Sequence, residues 1–304
     1  MNPTLLASIC LAALLGSPAY AQEDRNDRHG GDGDGADIVV TAPLQGARQD
    51  ALSGVAVLRG EDLATALRSS IGDTLAHTPG VTATSFGPTA SRPVLRGLQG
   101  ERVRMLTNGI GAIDVSNTSV DHAPVVNPLL AQRIEVLRGP QSLQYGSAAI
   151  GGVVNVIDKR IPTAVPGEPV HLAALAGYAS AADERSAAGS AEFPLGGGWV
   201  GHVDGSYFKS ADLRIGGYAL TPALRAQALL SLASSQILAD PTLRPLIDFG
   251  VNAAVAGRLP NSAARTWSAG SGVAYITDAG NLGVAYSHFD SLYGIPVRFA
   301  TVPG

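Results

Sequence analysis

The chain has 304 residues, 45% apolar and 15% charged, with a formal net charge of −4, one cysteine and 37 glycines. A single cysteine excludes a disulfide scaffold, and the lack of a basic excess argues against nucleic acid as a partner, because Lys and Arg supply phosphate affinity. Leu5 to Leu15 is the one long apolar run, and it is too short for a spanning helix, which needs roughly 20 apolar residues.

Residues 1–21 read as a signal peptide. A short apolar stretch is followed by Gly16-Ser17-Pro18 and by Ala19-Tyr20-Ala21, the small-residue pattern of a cleavage site before Gln22. Cys10 would leave with it, so the mature chain would carry no thiol. Residues 22–36 are rich in Asp, Arg and Gly and have no large apolar side chain, which describes a flexible linker. Asp32-Gly33-Asp34-Gly35 with His29 lacks the ligand spacing of a calcium loop. Residues 37–43 hold an isolated β-branched run, Asp37-Ile38-Val39-Val40-Thr41-Ala42-Pro43, with no neighbouring hairpin partner. It is free to add to a sheet edge of another protein or to form an edge strand of the following domain, and spacing does not choose between the two.

From residue 44 to 162, helical and strand patterns alternate between Gly and Pro punctuation. Ile71 to Leu75 is a predicted short helix closed by Pro79-Gly80. Predicted strands are Val81 to Thr84, Val94 to Arg96, Val103 to Thr107, Ile134 to Leu137 and Gly152 to Ile157, with Asn108-Gly109 as a turn. Together these make a small α+β domain.

Within it, Ser91-Arg92-Pro93-Val94-Leu95-Arg96-Gly97, Arg102 to Gly109 and the long block Arg133 to Gly152 resemble the plug domain of TonB-dependent outer-membrane receptors. The motif positions are Arg96, Gly97, Arg138, Gly139, Pro140, Tyr145, Gly146, Gly151 and Gly152. The glycines permit tight turns, and no Gly-Lys-Ser/Thr follows, so the block is not a phosphate loop. Asp37, Ile38, Val39, Val40, Thr41 and Ala42 resemble the family's TonB box.

Residues 163–304 then carry segments near the roughly ten-residue length of outer-membrane strands: Val170 to Tyr178, Ser190 to Leu195, Trp199 to Lys209, Arg265 to Thr277 and Asn281 to Phe289. Trp199, Val203 and Tyr207 alternate with His202, Asp204 and Ser206, while Val200 and Phe208 break that alternation. Short connections at Gly196 to Gly198 and Asp278 to Gly280 alternate with longer ones at Ala179 to Gly189 and Ala211 to Ala264. The last of these contains an Ala- and Leu-rich stretch, Ala223 to Leu238, expected as a helical extracellular insertion near 219–262 with a small local core.

The resemblance implies an α+β plug followed by the first strands of an antiparallel transmembrane β-barrel, about five of the roughly 22 that surround a plug. The chain is therefore expected to be the N-terminal part of a receptor. It also implies residence in the outer membrane of a Gram-negative bacterium, a monomer, energised uptake through the inner-membrane TonB complex, and no resident cofactor. No catalytic role is expected: the six histidines are scattered, and no nucleophile elbow, zincin helix or dinucleotide fingerprint is present. Gly109 to Asn117 and Asp121-His122-Ala123, with Gly294-Ile295-Pro296, are similar to the zinc receptors of the family. That similarity implies zinc as cargo and Asp121 and His122 as ligands, with the barrel completing a four-ligand site. Residue types alone fit a solvated loop with Asp121 as a turn residue before Pro124. A ferric siderophore or haem receptor, and a plug-only periplasmic interaction module, are the alternatives.

Overall fold

The computed structural model describes residues 38–39, 46–47, 54–84, 86–87, 89–111, 116, 119, 122–233, 250 and 252–296. The expected signal peptide and linker, and Asp121, lie outside the described residues. Of the proposed box only Ile38–Val39 is described, as strand β1. It pairs antiparallel with β2, Gly46–Ala47, placing Ile38 opposite Ala47 and Val39 opposite Gly46. The run therefore has a local partner, where the sequence showed none.

The plug is built on one five-stranded sheet, from β3 (Val55–Arg59), β6 (Val103–Thr107), β7 (Ile110–Gly111), β8 (Arg133–Leu137) and β9 (Gly152–Ile157), in the order β3-β8-β9-β6-β7. Only β6 and β9 run parallel. Helix α1 (Gly60–Ala66) and helix α2 (Ile71–Leu75) cover one face, where Leu63, Ile71 and Leu75 pack with Ile134, Val136 and Val154. Ser70 caps α2 by accepting from the amide of Asp73, one of the orphan donors of a helix start. The short ribbon of β4 (Val81–Ala83) and β5 (Pro93–Leu95) closes over the same core through Val81 and Leu95. The opposite face holds Val55, Leu106, Leu137 and Val153 beneath Tyr145 and Ala149, which belong to two successive 3₁₀ turns, Pro140–Tyr145 and Ser147–Ile150.

β3 and α1 are additions to the sequence reading, which began the ordered core at Ile71. The expected Asn108-Gly109 turn is present, with both residues at positive φ (51° and 81°) as a tight hairpin between β6 and β7 requires.

A second five-stranded sheet follows: β10 (His171–Ala179), β11 (Glu184–Gly196), β12 (Trp199–Ser210), β15 (Ala264–Thr277) and β16 (Gly280–Tyr293), all antiparallel and paired in that order. Between β12 and β15 lie the ribbon β13 (Arg214–Tyr218) with β14 (Ala256–Arg258) and helix α3 (Pro222–Ala233). Leu220, Ala228 and Ala253 make the local core expected there.

Two expectations about this sheet are corrected. The connection expected to run from Ala179 to Gly189 is only Ser180 to Asp183, with Asp183 in the left-handed region, and β11 has 13 residues instead of a short segment at Ser190 to Leu195. Along its middle, Ser186 to Ala191, both faces carry only Ala, Ser and Gly, so they offer little contrast of hydrophobicity to read. Val200 and Phe208 do not break the alternation either. They sit on the inward face with His202 and are buried, at 0% and 3% exposure, because plug rather than water covers that face.

Candidate functional site

The site is the seam between the plug and the inward face of the wall. On β12 the even positions face inward and the odd positions outward, where Trp199, Val203, Tyr207 and Lys209 are exposed. Register carries the same outward face across Leu172 and Tyr178 of β10, Trp267 and Tyr275 of β15, and Leu282, Val284, Tyr286 and Leu292 of β16. These large side chains are exposed, Leu282 at 79%. An apolar strand face of this kind, with aromatic residues toward both ends, is what a bilayer-facing wall requires.

Among the described residues, plug and wall meet through polar contacts and close-approach glycines. Arg160, in the segment leaving the plug, donates from Nε to Asp204 Oδ2 at 3.1 Å and from Nη1 to Asp158 Oδ2 at 2.8 Å. His202 Nε2 lies 3.2 Å from the same Asp204 oxygen, and its Nδ1 lies 3.4 Å from Glu192 Oε1. Higher on the wall, Asn127 donates from one amide nitrogen to Ser206 Oγ at 2.7 Å and to Ser268 Oγ at 2.9 Å. The amide of Ala123 donates to the Tyr293 hydroxyl at 3.0 Å.

Glycines let the chain come this close. A Cβ on Gly272 would collide with the carbonyl oxygen of Arg160, and one on Gly283 would meet Ile161 Cγ2 at 2.6 Å. Both positions are strand residues facing inward, so the wall is hollowed where the plug leaves for β10.

Above this seat, the loop at His122 to Leu129 and the inward side chains Phe208, Thr266, Phe289 and Tyr293 enclose a cavity of about 420 Å³. A second cavity of about 320 Å³ lies between α1, Leu129 and the Asp204–Arg160 pair. His122 borders the larger cavity. Among the described residues no group of three His, Cys, Asp or Glu side chains gathers to hold a metal.

The plug motif residues lie at turns, close approaches and packing contacts of the plug. Arg138 donates from Nε to the Gly54 carbonyl at 3.2 Å and from Nη1 to the Pro79 carbonyl, clamping β8 to the entry of β3 and to the turn before β4. Burial first, and then the nearby Arg96, lowers its pKa from the ordinary arginine value. Gly139, Gly146 and Gly152 have φ of 100°, 96° and 141°, the region where a side chain is strained. Gly151 differs: a Cβ there would lie 2.7 Å from the Arg102 carbonyl, so the glycine serves close approach. Arg96 and Gly97 form the exposed turn after β5, with φ of 51° and 81°. Tyr145 packs on the second core face, where burial and then the Glu135 charge raise its pKa. Of Pro140, only its place at the start of the 3₁₀ segment is described. The Arg160–Asp204 seat went unseen in the sequence, since its partners are 44 residues apart and neither belongs to a motif.

Comparisons with known proteins fit this geometry. A family profile described as the TonB-dependent receptor plug domain matches residues 47–153. The iron-regulated outer membrane virulence protein of Vibrio cholerae is 31% identical over 166 residues, covering 52% of this chain and 24% of that protein. The chain thus spans about a quarter of that relative's length. Among solved structures, the copper transporter OprC matches with a TM-score of 0.54 at 19% identity, over 80% of this chain and 31% of that one. A variant of the ferric enterobactin receptor PfeA from Pseudomonas aeruginosa matches with a TM-score of 0.52 at 18% identity, over 81% of this chain and 34% of that one. At such identities the two structures show the fold alone.

Proposed function

We propose, from the premise that this chain is a TonB-dependent receptor chain of the Gram-negative outer membrane, that it takes part in energised uptake of a metal carried as an anionic chelate. The observation that carries the reading is the seam: a folded plug seated on the inward face of a wall whose outward face is apolar and exposed. A plug in that position obstructs the lumen, so passage of cargo requires it to move. Energy for the movement would come through Asp37 to Ala42, the segment proposed to accept a strand from TonB. Main-chain pairing gives such a contact its affinity.

A ferric chelate is favoured over zinc as cargo by charge. The long connection places Arg214 directly opposite Arg258, both exposed, on the ribbon of β13 and β14. Like charges facing across a ribbon are unfavourable until an anion lies between them, and guanidinium groups suit carboxylate and phenolate oxygens. The name of the Vibrio relative, iron-regulated, points the same way. Zinc is the second reading, supported by His122 at the cavity and by the resemblance of the surrounding segment.

The test compares binding and accumulation in cells that depend on the complete receptor, with radiolabelled ferric enterobactin and free Zn²⁺ as probes. Val39→Pro removes an amide and fixes φ in the box. It should abolish accumulation while leaving surface binding intact. Replacing Arg214 and Arg258 by Gln should weaken chelate binding about tenfold, the scale of a lost charge-assisted hydrogen bond, and leave zinc unaffected. Normal accumulation by the Val39→Pro receptor would remove the box from the mechanism. Zinc binding without chelate binding would return zinc to the lead.

A further inference from the structure

On the outward face, one register row of the wall is cationic. Arg185 of β11 lies opposite Lys209 of β12, and Lys209 lies opposite Arg265 of β15. Tyr178 flanks the row on β10 and Leu292 on β16. All five side chains are exposed. Cross-strand neighbours on one face stand close enough to interact directly, and like charges there are unfavourable. Three such neighbours over about 10 Å of wall therefore call for anionic compensation.

The protein supplies part of it, at the two ends only. Arg185 Nη2 pairs with Asp183 at 3.2 Å, and Arg265 Nη2 stands 3.9 Å from Asp290. The central Lys209 has no ion-pair partner among the described residues. The row also has a definite height. It lies at the wall end that carries the long connection, immediately beyond the aromatic residues Tyr207 and Trp267. The opposite end has its own aromatic pair, Trp199 and Tyr275, with ring centroids 5.1 Å apart. Eight positions along β12 separate Trp199 from Tyr207, about 26 Å along an extended strand and about 20 Å of height at the roughly 40° tilt of barrel strands. Two aromatic belts at that spacing bracket an acyl layer, so the row falls at the headgroup level just above the upper belt. Among the described residues, the end with the tight glycine turns shows no comparable row: Phe193, Trp199, Tyr275 and Leu282 lie outward there.

We propose that Arg185, Lys209 and Arg265 bind the phosphates of a phosphorylated glycolipid of the outer leaflet, with Tyr178 and Leu292 against its acyl chains. Guanidinium groups hold phosphate oxygens with directed, charge-assisted bonds, and the lysine between them adds a point charge. The inference rests on the outer-membrane reading of the wall but is independent of what is transported.

The experiment uses the full chain in detergent micelles. It is titrated in separate arms with lipid A, phosphatidylethanolamine and inorganic phosphate, and retained ligand is read by native mass spectrometry. Lipid A should be retained and the other two should not. Combined replacement of Arg185, Lys209 and Arg265 by Gln should reduce retention at least about tenfold. Exchange of the two arginines for Lys and of Lys209 for Arg should preserve most of it. Should the Gln variant fail to fold, Asp183→Asn with Asp290→Asn decides, because removing the competing acids should strengthen lipid A retention. Equal retention by the Gln variant, equal retention of phosphatidylethanolamine, or weaker retention in the Asn variant would each overturn the proposal. Because no uptake is measured, failure here leaves the transport reading to its own test.

Discussion

The plug sheet and the wall are both five-stranded, yet they use apolar side chains in opposite ways. In the plug, Ile134 and Val136 point to one face and Leu137 and Val153 to the other, and all four are fully buried. In the wall, Val200, Phe208 and Ala274 are buried on the inward face, while Leu172, Leu282 and Tyr286 on the outward face are more than two-thirds exposed. A soluble protein rarely leaves so broad an apolar face uncovered. The difference shows that the plug makes its own core, whereas the wall is covered by the plug on one side and leaves an apolar, exposed face on the other.

Substitutions can break this contrast, and the largest effect belongs to the plug core. Ile134→Ala should cost about 2–5 kcal/mol of plug stability, read as lost hydrogen-exchange protection of the β8 and β9 amides. Val284→Ala on the outward wall should leave those amides unchanged. A result in which both variants behave alike would erase the distinction between the two sheets.

Next in size is the hollow where the two regions touch. Gly272→Leu places atoms where the Arg160 carbonyl lies, and overpacking of this kind costs about 3 kcal/mol. Exchange at residues 158–162 should rise sharply, with β8 and β9 little affected. Asp204→Asn should do less, about 1.5 kcal/mol, because Asp158 still holds Arg160. Loss of protection in the segment should follow the same order, Gly272→Leu ahead of Asp204→Asn.

The smallest effect is alkaline. Burial and the charge of Glu135 raise the Tyr145 pKa above its ordinary value of about 10. The folded state therefore favours the neutral phenol: its contribution is complete below about pH 10 and is lost as pH rises through the raised value. Tyr145→Phe should remove that alkaline decline in plug stability, measured by urea midpoints across the range, and leave neutral pH almost unchanged. An identical decline in the Phe variant would assign it to other groups.

Much of this was legible from sequence. The plug strands beyond residue 80 are visible because short β-forming runs stand between Gly and Pro signals, as in Val103 to Thr107 before Asn108-Gly109. β3 and α1 were missed although Val55-Ala56-Val57-Leu58 is such a run and Glu61 and Asp62 mark a helix start. In the wall, β12 was readable because Trp, Val and Tyr contrast with His, Asp and Ser. β11 was not, since Ala187, Gly189 and Ala191 outward face Ser186, Ala188 and Ser190 inward with little difference in polarity. Val200 and Phe208 interrupt the polar series because the inward face is covered by protein, which only the fold reveals. The seat of Arg160 was beyond sequence altogether: a charge pair made across 44 residues leaves no local periodicity.

Whether the outward face of the wall meets lipid is reported directly by the two tryptophans of the sequence, since Trp199 and Trp267 both lie on that face. The decisive measurement is tryptophan fluorescence of the chain in vesicles with brominated acyl chains, compared with unbrominated vesicles and with aqueous iodide. Strong quenching by bromine and weak quenching by iodide are expected, retained in Trp199→Phe and Trp267→Phe alike. Emission insensitive to bromine but quenched by iodide would place that face in water and contradict the membrane wall.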